Sequence, residues 1–157
     1  MRADAHLQWT TFVLSRRIAA AMVSVEHALG EADALHPGQA IALGDAGTLS
    51  LEQPFELQWL PRWPAWRTCA RLRTPTGRHV ARVELELAAW SSDASELLLR
   101  PIAGHPERWG KRRLRRYFAL AHPSTDYVAV ALSQAAAAAR DRDNRVALAT
   151  GGGIRQA

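Results

Sequence analysis

The sequence predicts a single α+β domain, in which an antiparallel sheet packs against one long C-terminal helix. Two patterns lead to this prediction. Between residues 66 and 100, apolar and polar side chains alternate in successive short segments, as they do in strands with one buried and one solvated face. From about residue 108 onward, apolar side chains recur at steps of three and four, which is the spacing of an amphipathic helix. Each apolar face needs a partner, and we expect each to bury the other.

Composition agrees with one globular domain. The chain has 157 residues, of which 48% are hydrophobic and 22% are charged, far from the composition of disordered proteins. We expect one domain over residues 1–143, followed by a mobile tail over residues 144–157. Cys69 is the only cysteine, so neither an intrachain disulfide nor a cysteine-based zinc site can form. No apolar segment has the length of a membrane span or the form of a secretory signal, and we expect a soluble, cytoplasmic protein.

The first part of the chain predicts a strand, a short helix and a less regular stretch. Residues 11–18 alternate as a strand does, except that Arg16 places a charged side chain on the otherwise apolar face. Residues 19–29 have apolar side chains near helical spacing and end at Gly30, so a short helix is expected. Residues 31–47 are rich in Ala, Gly and Asp, which predicts loops with a short helical piece.

The middle of the chain predicts an antiparallel meander. Residues 49–60 are strand-like, but Pro54 cannot donate a backbone hydrogen bond, which confines that part to an edge strand or a bulge. Three further strands with one apolar face are expected at residues 66–73, 81–89 and 96–100. Turn-forming residues separate them at positions 74–77 and 91–93.

The C-terminal helix is expected to start near Arg108 and to carry one apolar stripe. The members of the stripe are Leu114, Phe118, Ala121, Thr125, Val128 and Leu132. Pro123 lies inside this helix and removes one backbone hydrogen bond, so we expect a kinked or two-part helix. The alanine-rich run to Ala139 favours continuation, and we expect the helix to fray between Arg140 and Asn144.

One short segment accounts for the net charge of the whole chain, which is +5. Residues 104–118 hold six of the 20 Lys and Arg residues and one acid, Glu107. Five of these cations cluster at the start of the last helix: Lys111, Arg112, Arg113, Arg115 and Arg116. Two interpretations are open. The cluster is either a solvated or internally paired helix face, or a site for membrane headgroups, nucleic acid or an acidic protein, with Trp109 and Tyr117 as stacking groups.

The order of strand, short helix, irregular stretch, meander and closing helix is that of the helix-grip fold. The chain resembles the START and polyketide-cyclase-like superfamily known as SRPBCC. Residues 13–29, VLSRRIAAAMVSVEHAL, are similar to the first strand and short helix of that family. Residues 83–101, VELELAAWSSDASELLLRP, and residues 112–122, RRLRRYFALAH, are similar to its last hairpin and closing helix. The chain departs from the family near Met22, where a proline is frequent, and at residues 31–47, which have no recognisable counterpart.

This resemblance implies a curved antiparallel sheet wrapped around the last helix, with a cavity between them that in many relatives holds a hydrophobic ligand. We therefore expect a non-enzymatic protein that binds a small hydrophobic or lipid-like molecule and needs no cofactor. The residues expected to line the cavity are Trp59, Trp66, Leu85, Leu87, Leu97, Leu99, Phe118, Ala121, Thr125 and Val128. For the two tryptophans, a role as anchors of the proline-rich crossing between strands is the alternative.

Motifs that would mark an enzyme or a metal centre do not occur in the sequence. There is no zinc-binding HExxH, no G-x-S-x-G and no Walker loop, so we predict no catalytic residue and no metal ligand. Only His122 and Asp126, one helical turn apart, could form an acid–base pair if they faced the cavity. A cyclase-like or hydrolytic enzyme is the third function class, and it depends on this pair; a solvated surface pair is the other interpretation.

Overall fold

A long helix lies in the hollow of a curled sheet in this computed structural model, which describes residues 12–61 and 63–151. The described strands form one antiparallel sheet with the shape of a half-barrel. The predicted fold class is confirmed: the protein is α+β, with a curved antiparallel sheet around a long C-terminal helix.

The elements follow the order expected from the sequence. The described strands are β1 (Leu14–Ile18), β2 (Ala40–Ala42), β3 (Thr48–Leu51), β4 (Glu56–Trp59), β5 (Pro64–Arg73), β6 (His79–Ala89) and β7 (Ser95–Pro101). The described α-helices are α1 (Met22–Leu29) and α2 (Lys111–Gly151). Short 3-10 turns occur at Asp33–Leu35, Gly44–Ala46 and Pro106–Arg108.

The sheet has the order β1-β7-β6-β5-β3-β2, with β4 beside β3 on the same edge of β5. Strand β3 pairs with the last part of β5, from Ala70 to Arg73, and β4 pairs with its first part, from Pro64 to Arg67. Pro54 lies between β3 and β4, where no ladder hydrogen bond is needed. The interruption expected from this proline is therefore confirmed.

The two faces of the sheet differ as the alternation predicted. On the concave face, Ala81, Val83 and Leu85 of β6 are fully buried beneath α2. On the convex face, carboxylates of β6 and of the β3–β4 connection bind arginines of the neighbouring strands. The pairs include Arg67–Glu86 at 2.7 Å, Arg100–Glu86 at 2.6 Å, Arg71–Glu52 at 2.6 Å and Arg82–Glu52 at 2.8 Å. Hydrogen bonds from Arg82 and Arg71 lower the pKa of Glu52.

Helix α2 is one helix of 41 residues, with Pro123 inside it, and not two separate helices. It also continues past the fraying region expected after Arg140, because residues 140–150 contain no proline or glycine that would end it. Its last buried residue is Ala139, and residues 140–151 are all exposed. Mobility of residues 144–157 stays a prediction, and residues 152–157 lie outside the described part of the chain.

Candidate functional site

The space between the sheet and α2, which was expected to be a cavity, is filled by side chains. We call this layer the seam. Seven of the ten residues expected to line it are 0% exposed: Leu85, Leu87, Leu97, Leu99, Ala121, Thr125 and Val128. A side chain that lined a cavity large enough for water would present accessible surface to it, so these seven pack directly against their neighbours. A ligand could enter the seam only if the sheet and α2 moved apart.

The other three expected cavity residues lie in different places. Trp66 is half-buried at the end of the seam nearest α1, and its indole N–H donates a 3.0 Å hydrogen bond to the carboxylate of Glu26. A pocket of about 430 Å³ lies beside Trp66, between α1 and the sheet. Phe118 is half-buried and stacks on Phe12 with ring centroids 6.3 Å apart. Trp59, at the end of β4, is 79% exposed and lies outside the seam.

An open groove of about 780 Å³ runs along the side of α2 that the half-barrel leaves uncovered. Its opposite wall is formed by residues 31–34, in the segment that leads from α1 into β2, and by Ala42 and Leu43 at the end of β2. Most of its lining is apolar, and the larger members are Leu43, Pro123, Tyr127 and Val130. The polar groups include the carboxylate of Asp126 and the amide of Gln134.

The sequence did not point to this groove. On α2 it is lined by Ala131, Ala135 and Ala138, whose small side chains leave space against the opposite wall. In the sequence these alanines indicate a helix, because alanine has a high helix propensity, but they do not indicate a groove. The opposite wall belongs to residues 31–47, which carry no clear periodicity.

Arg16, the charged residue on the apolar face of β1, reaches α2 beside the groove. Its guanidinium donates to the carboxylate of Asp126, and its Nη2 lies 3.1 Å from Nδ1 of His122. Because an arginine can only donate hydrogen bonds, Nδ1 of His122 is the acceptor in this contact. Arg16 therefore links His122 and Asp126, but all three lie at the surface and not in an enclosed site.

The basic start of α2 is exposed. Its members are Lys111, Arg112, Arg113, Arg115 and Arg116. None of them forms an ion pair with another residue in the described part of the chain. The acids that could have neutralised them have other partners: Glu84 and Glu86 bind Arg100, and Glu107 lies 3.2 Å from His105. The internally paired interpretation therefore receives no support from the described contacts.

The two aromatic residues expected to stack against a partner are buried instead. Tyr117 is 0% exposed, and its hydroxyl donates a 2.8 Å hydrogen bond to the backbone carbonyl of Phe12. Burial raises the pKa of Tyr117. Trp109 is 8% exposed, with the guanidinium of Arg113 over its ring at 4.3 Å. The expectation of stacking groups is wrong, because both rings belong to an aromatic cluster that fixes the start of α2 against the beginning of β1.

The turn between β5 and β6 lies beside the start of α2. Burial lowers the pKa of His79, and the guanidinium groups of Arg73, Arg71 and Arg113 lower it further. Arg73 from β5 and Arg113 from α2 thus both lower the pKa of the same imidazole. Arg73 and the exposed Arg78 form no ion pair with any residue of the described ranges.

A metal centre and a reactive thiol are not apparent in residues 12–61 and 63–151. No three His, Cys, Asp or Glu side chains of these ranges are grouped as a metal site would require. Cys69 is half-buried on β5, and burial raises the pKa of its thiol, which disfavours the nucleophilic thiolate. In the same ranges, no helix combines the length and the apolar character that crossing a membrane would need.

Comparison with known proteins gives no relative: no family model, no curated protein and no solved structure matches this chain.

Proposed function

We propose that this protein binds a small hydrophobic molecule, without transforming it, in the groove between α2 and the segment that leads into β2. The groove itself is the observation that carries the proposal. Its volume of about 780 Å³ falls inside the range of small-molecule sites, roughly 300–1,000 Å³. Apolar walls with a few polar groups are typical of such sites. The resemblance to SRPBCC proteins supports this class of ligand, and the cytoplasm is the location we propose.

The groove is preferred to the seam because of packing. Residues such as Leu87 and Val128 leave no free surface in the seam, whereas Val130 in the groove is 53% exposed. An exposed valine beside a concave surface can be covered by a ligand without any rearrangement of the core. The enzyme alternative depends on His122 and Asp126, which are exposed and share Arg16 as their partner. No described residue beside them supplies an activated nucleophile.

Filling the groove should weaken ligand binding strongly. Gln134 is exposed and faces the groove, so a Gln134→Trp variant should fold normally and place an indole where the ligand would lie. We expect binding of a lipophilic fluorescent dye to weaken by about tenfold or more. Native mass spectrometry of the gently purified protein should show the same loss for any co-purified molecule.

The matched control is Ala137→Trp, which adds the same indole to an exposed position of α2 outside the groove lining. This variant should bind the dye like the unmodified protein. Equal dye binding by the Gln134→Trp variant and the unmodified protein would contradict the groove as the ligand site.

A second function is favoured by the exposed, unpaired cations: the start of α2 binds an anionic partner. Arg112→Gln with Arg116→Gln should lower the salt concentration that elutes the protein from phosphocellulose, since these arginines would contact phosphate directly. The control is Arg140→Gln with Arg145→Gln, which removes the same two positive charges from exposed positions near the other end of α2. Equal elution shifts for the two double variants would show that net charge alone governs retention, and would count against the proposal.

A further inference from the structure

We propose that the partner of the basic residues is the phosphate backbone of double-stranded nucleic acid, bound without reading its sequence. This inference rests on the second function above and names its partner. The surface that would make the contact is larger than the helix start. It consists of residues 108–116 together with Arg73 and Arg78 of the β5–β6 hairpin, and we call it the basic end.

The charge of the basic end exceeds that of the entire protein. Residues 108–116 contain six cations and no acid, and Arg73 and Arg78 bring the total to eight. Because the whole chain has a net charge of +5, the remaining residues carry a net negative charge. A long polyanion would therefore be attracted to this end and repelled by the rest of the molecule.

The two parts of the basic end form one surface. Arg113 lies over the ring of Trp109 at 4.3 Å. Further along α2, a methyl group of Leu120 and the backbone carbonyl oxygen of Arg73 both lie within 2.5 Å of the position that a Cβ on Gly47 would take, so the end of β5 packs against the first turns of α2. Arg113 and Arg73 both lower the pKa of His79, as this packing implies. The side chain of Arg113 thus stands where α2 approaches the hairpin. Arg112 and Arg116 are one helical turn apart on α2, so their side chains are neighbours on its surface. Arginine is suited to this contact because its guanidinium can bind a phosphate through two parallel hydrogen bonds.

The buried aromatic residues argue against a single strand as the partner. Proteins that bind single strands without sequence preference stack the bases on exposed aromatic side chains. At the basic end, Tyr117 is fully buried and Trp109 is 8% exposed beneath Arg113. What remains accessible is a set of cations, which matches the outside of a duplex, where the phosphates are exposed and the bases are stacked inside.

The distribution of apolar residues argues against a membrane surface. Interfacial elements combine cations with apolar side chains that enter the lipid boundary. In the described ranges, one large exposed apolar side chain lies near the basic end: Ile102, beside the end of β7. A single such side chain is too few for an interfacial element. The exposed tryptophans flank the opposite ends of the strands: Trp59, Trp63 and Trp90. Strand β5 separates the two ends by its 10 residues, about 30 Å.

The test measures binding of the full chain to a short mixed-sequence DNA duplex, by fluorescence anisotropy, at salt concentrations between about 50 and 200 mM. The single strand of the same sequence and vesicles containing phosphatidylserine are measured in parallel. We expect the duplex to bind most tightly, with affinity that falls steeply with salt and does not depend on the sequence used.

The hairpin variant Arg73→Gln with Arg78→Gln and the helix variant Arg112→Gln with Arg116→Gln should each reduce the slope of log affinity against log salt by about 2. Arg78→Gln alone, at an exposed turn position where we expect no effect on folding, should reduce it by about 1. The control double variant at Arg140 and Arg145 should leave the slope unchanged.

Each other outcome has a distinct meaning. Tighter binding to the vesicles or to the single strand would overturn the duplex as partner and leave the anionic-partner function standing. An unchanged slope for the hairpin variant would overturn the composite surface. If neither the duplex nor phosphocellulose retains the protein, both this inference and the second function fail.

Discussion

A Gly47→Ala variant is expected to lose roughly 4 kcal/mol of its free energy of unfolding, a large part of the stability of an ordinary domain. Gly47 has a φ of 138°, which side chains of L-residues rarely tolerate. A Cβ at this position would overlap the backbone carbonyl oxygen of Arg73 and lie 2.5 Å from a methyl group of Leu120. The carbonyl belongs to β5 and Leu120 is buried on α2, so neither neighbour can move without disturbing the junction of sheet and helix.

Substitutions at two other glycines distinguish the two causes of this loss, which are backbone strain and steric overlap of the added Cβ. Gly77 has a φ of 80° but no atom within 4 Å of an added Cβ, so Gly77→Ala should cost about 1 to 2 kcal/mol for backbone strain alone. Gly30 has an ordinary φ of −80° and the same open space, so Gly30→Ala should cause no loss. Urea unfolding followed by circular dichroism measures all three variants. A loss at Gly47 no larger than that at Gly77 would disprove the close approach.

The fold could be predicted because its main elements have strong patterns. The alternation in β6 and most of the three- and four-residue steps of α2 correspond to buried faces. At the start of the predicted stripe, Leu114 and Phe118 are only half-buried, and Tyr117 is fully buried. Strand β2 was not predicted, because its three residues, Ala40–Ala42, are too few to show alternation. Its position is set by pairing with β3, which is a tertiary contact.

The candidate sites depend more on tertiary structure than the elements do. The groove exists because the sheet closes only as a half-barrel, and no local pattern reports how far a sheet closes. The partner of Arg16 could not be identified from the sequence, because Asp126 is 110 positions away along the chain. The same holds for the basic end: local sequence locates residues 108–116, but only the fold brings Arg73 beside them.

Ion pairing elsewhere in the sheet bears on one interpretation of the cations, the internally paired face, and leaves a solvated face and an anionic-partner site both open. Glu84 and Glu86 stand on β6, and the strand register brings Arg100 of β7 opposite Glu84. Both carboxylates bind that arginine and are not available to α2. Strand register follows from contacts across the whole sheet, so it could not be read from the segment that contains the cations.

A Leu99→Ala variant is expected to lose about 3 to 5 kcal/mol of its free energy of unfolding, because the seam is packed. Leu99 is 0% exposed, between Leu14 of β1 and Leu85 of β6 in the sheet. Removing its isobutyl group takes away buried apolar surface and also leaves a cavity that the rigid sheet can fill only in part. Leu148→Ala is the control, since Leu148 is 79% exposed on the part of α2 beyond the sheet and should lose almost nothing.

The size of this loss distinguishes the two places where a hydrophobic ligand could bind. In a packed seam the cavity adds to the cost of the lost surface, whereas a seam with free space would lose only the smaller contribution of the surface itself. Urea unfolding of the two leucine variants measures the difference. A loss of about 1 kcal/mol or less at Leu99 would mean that the seam is loosely packed. The ligand site would then belong between sheet and helix, and the groove would lose its advantage over it.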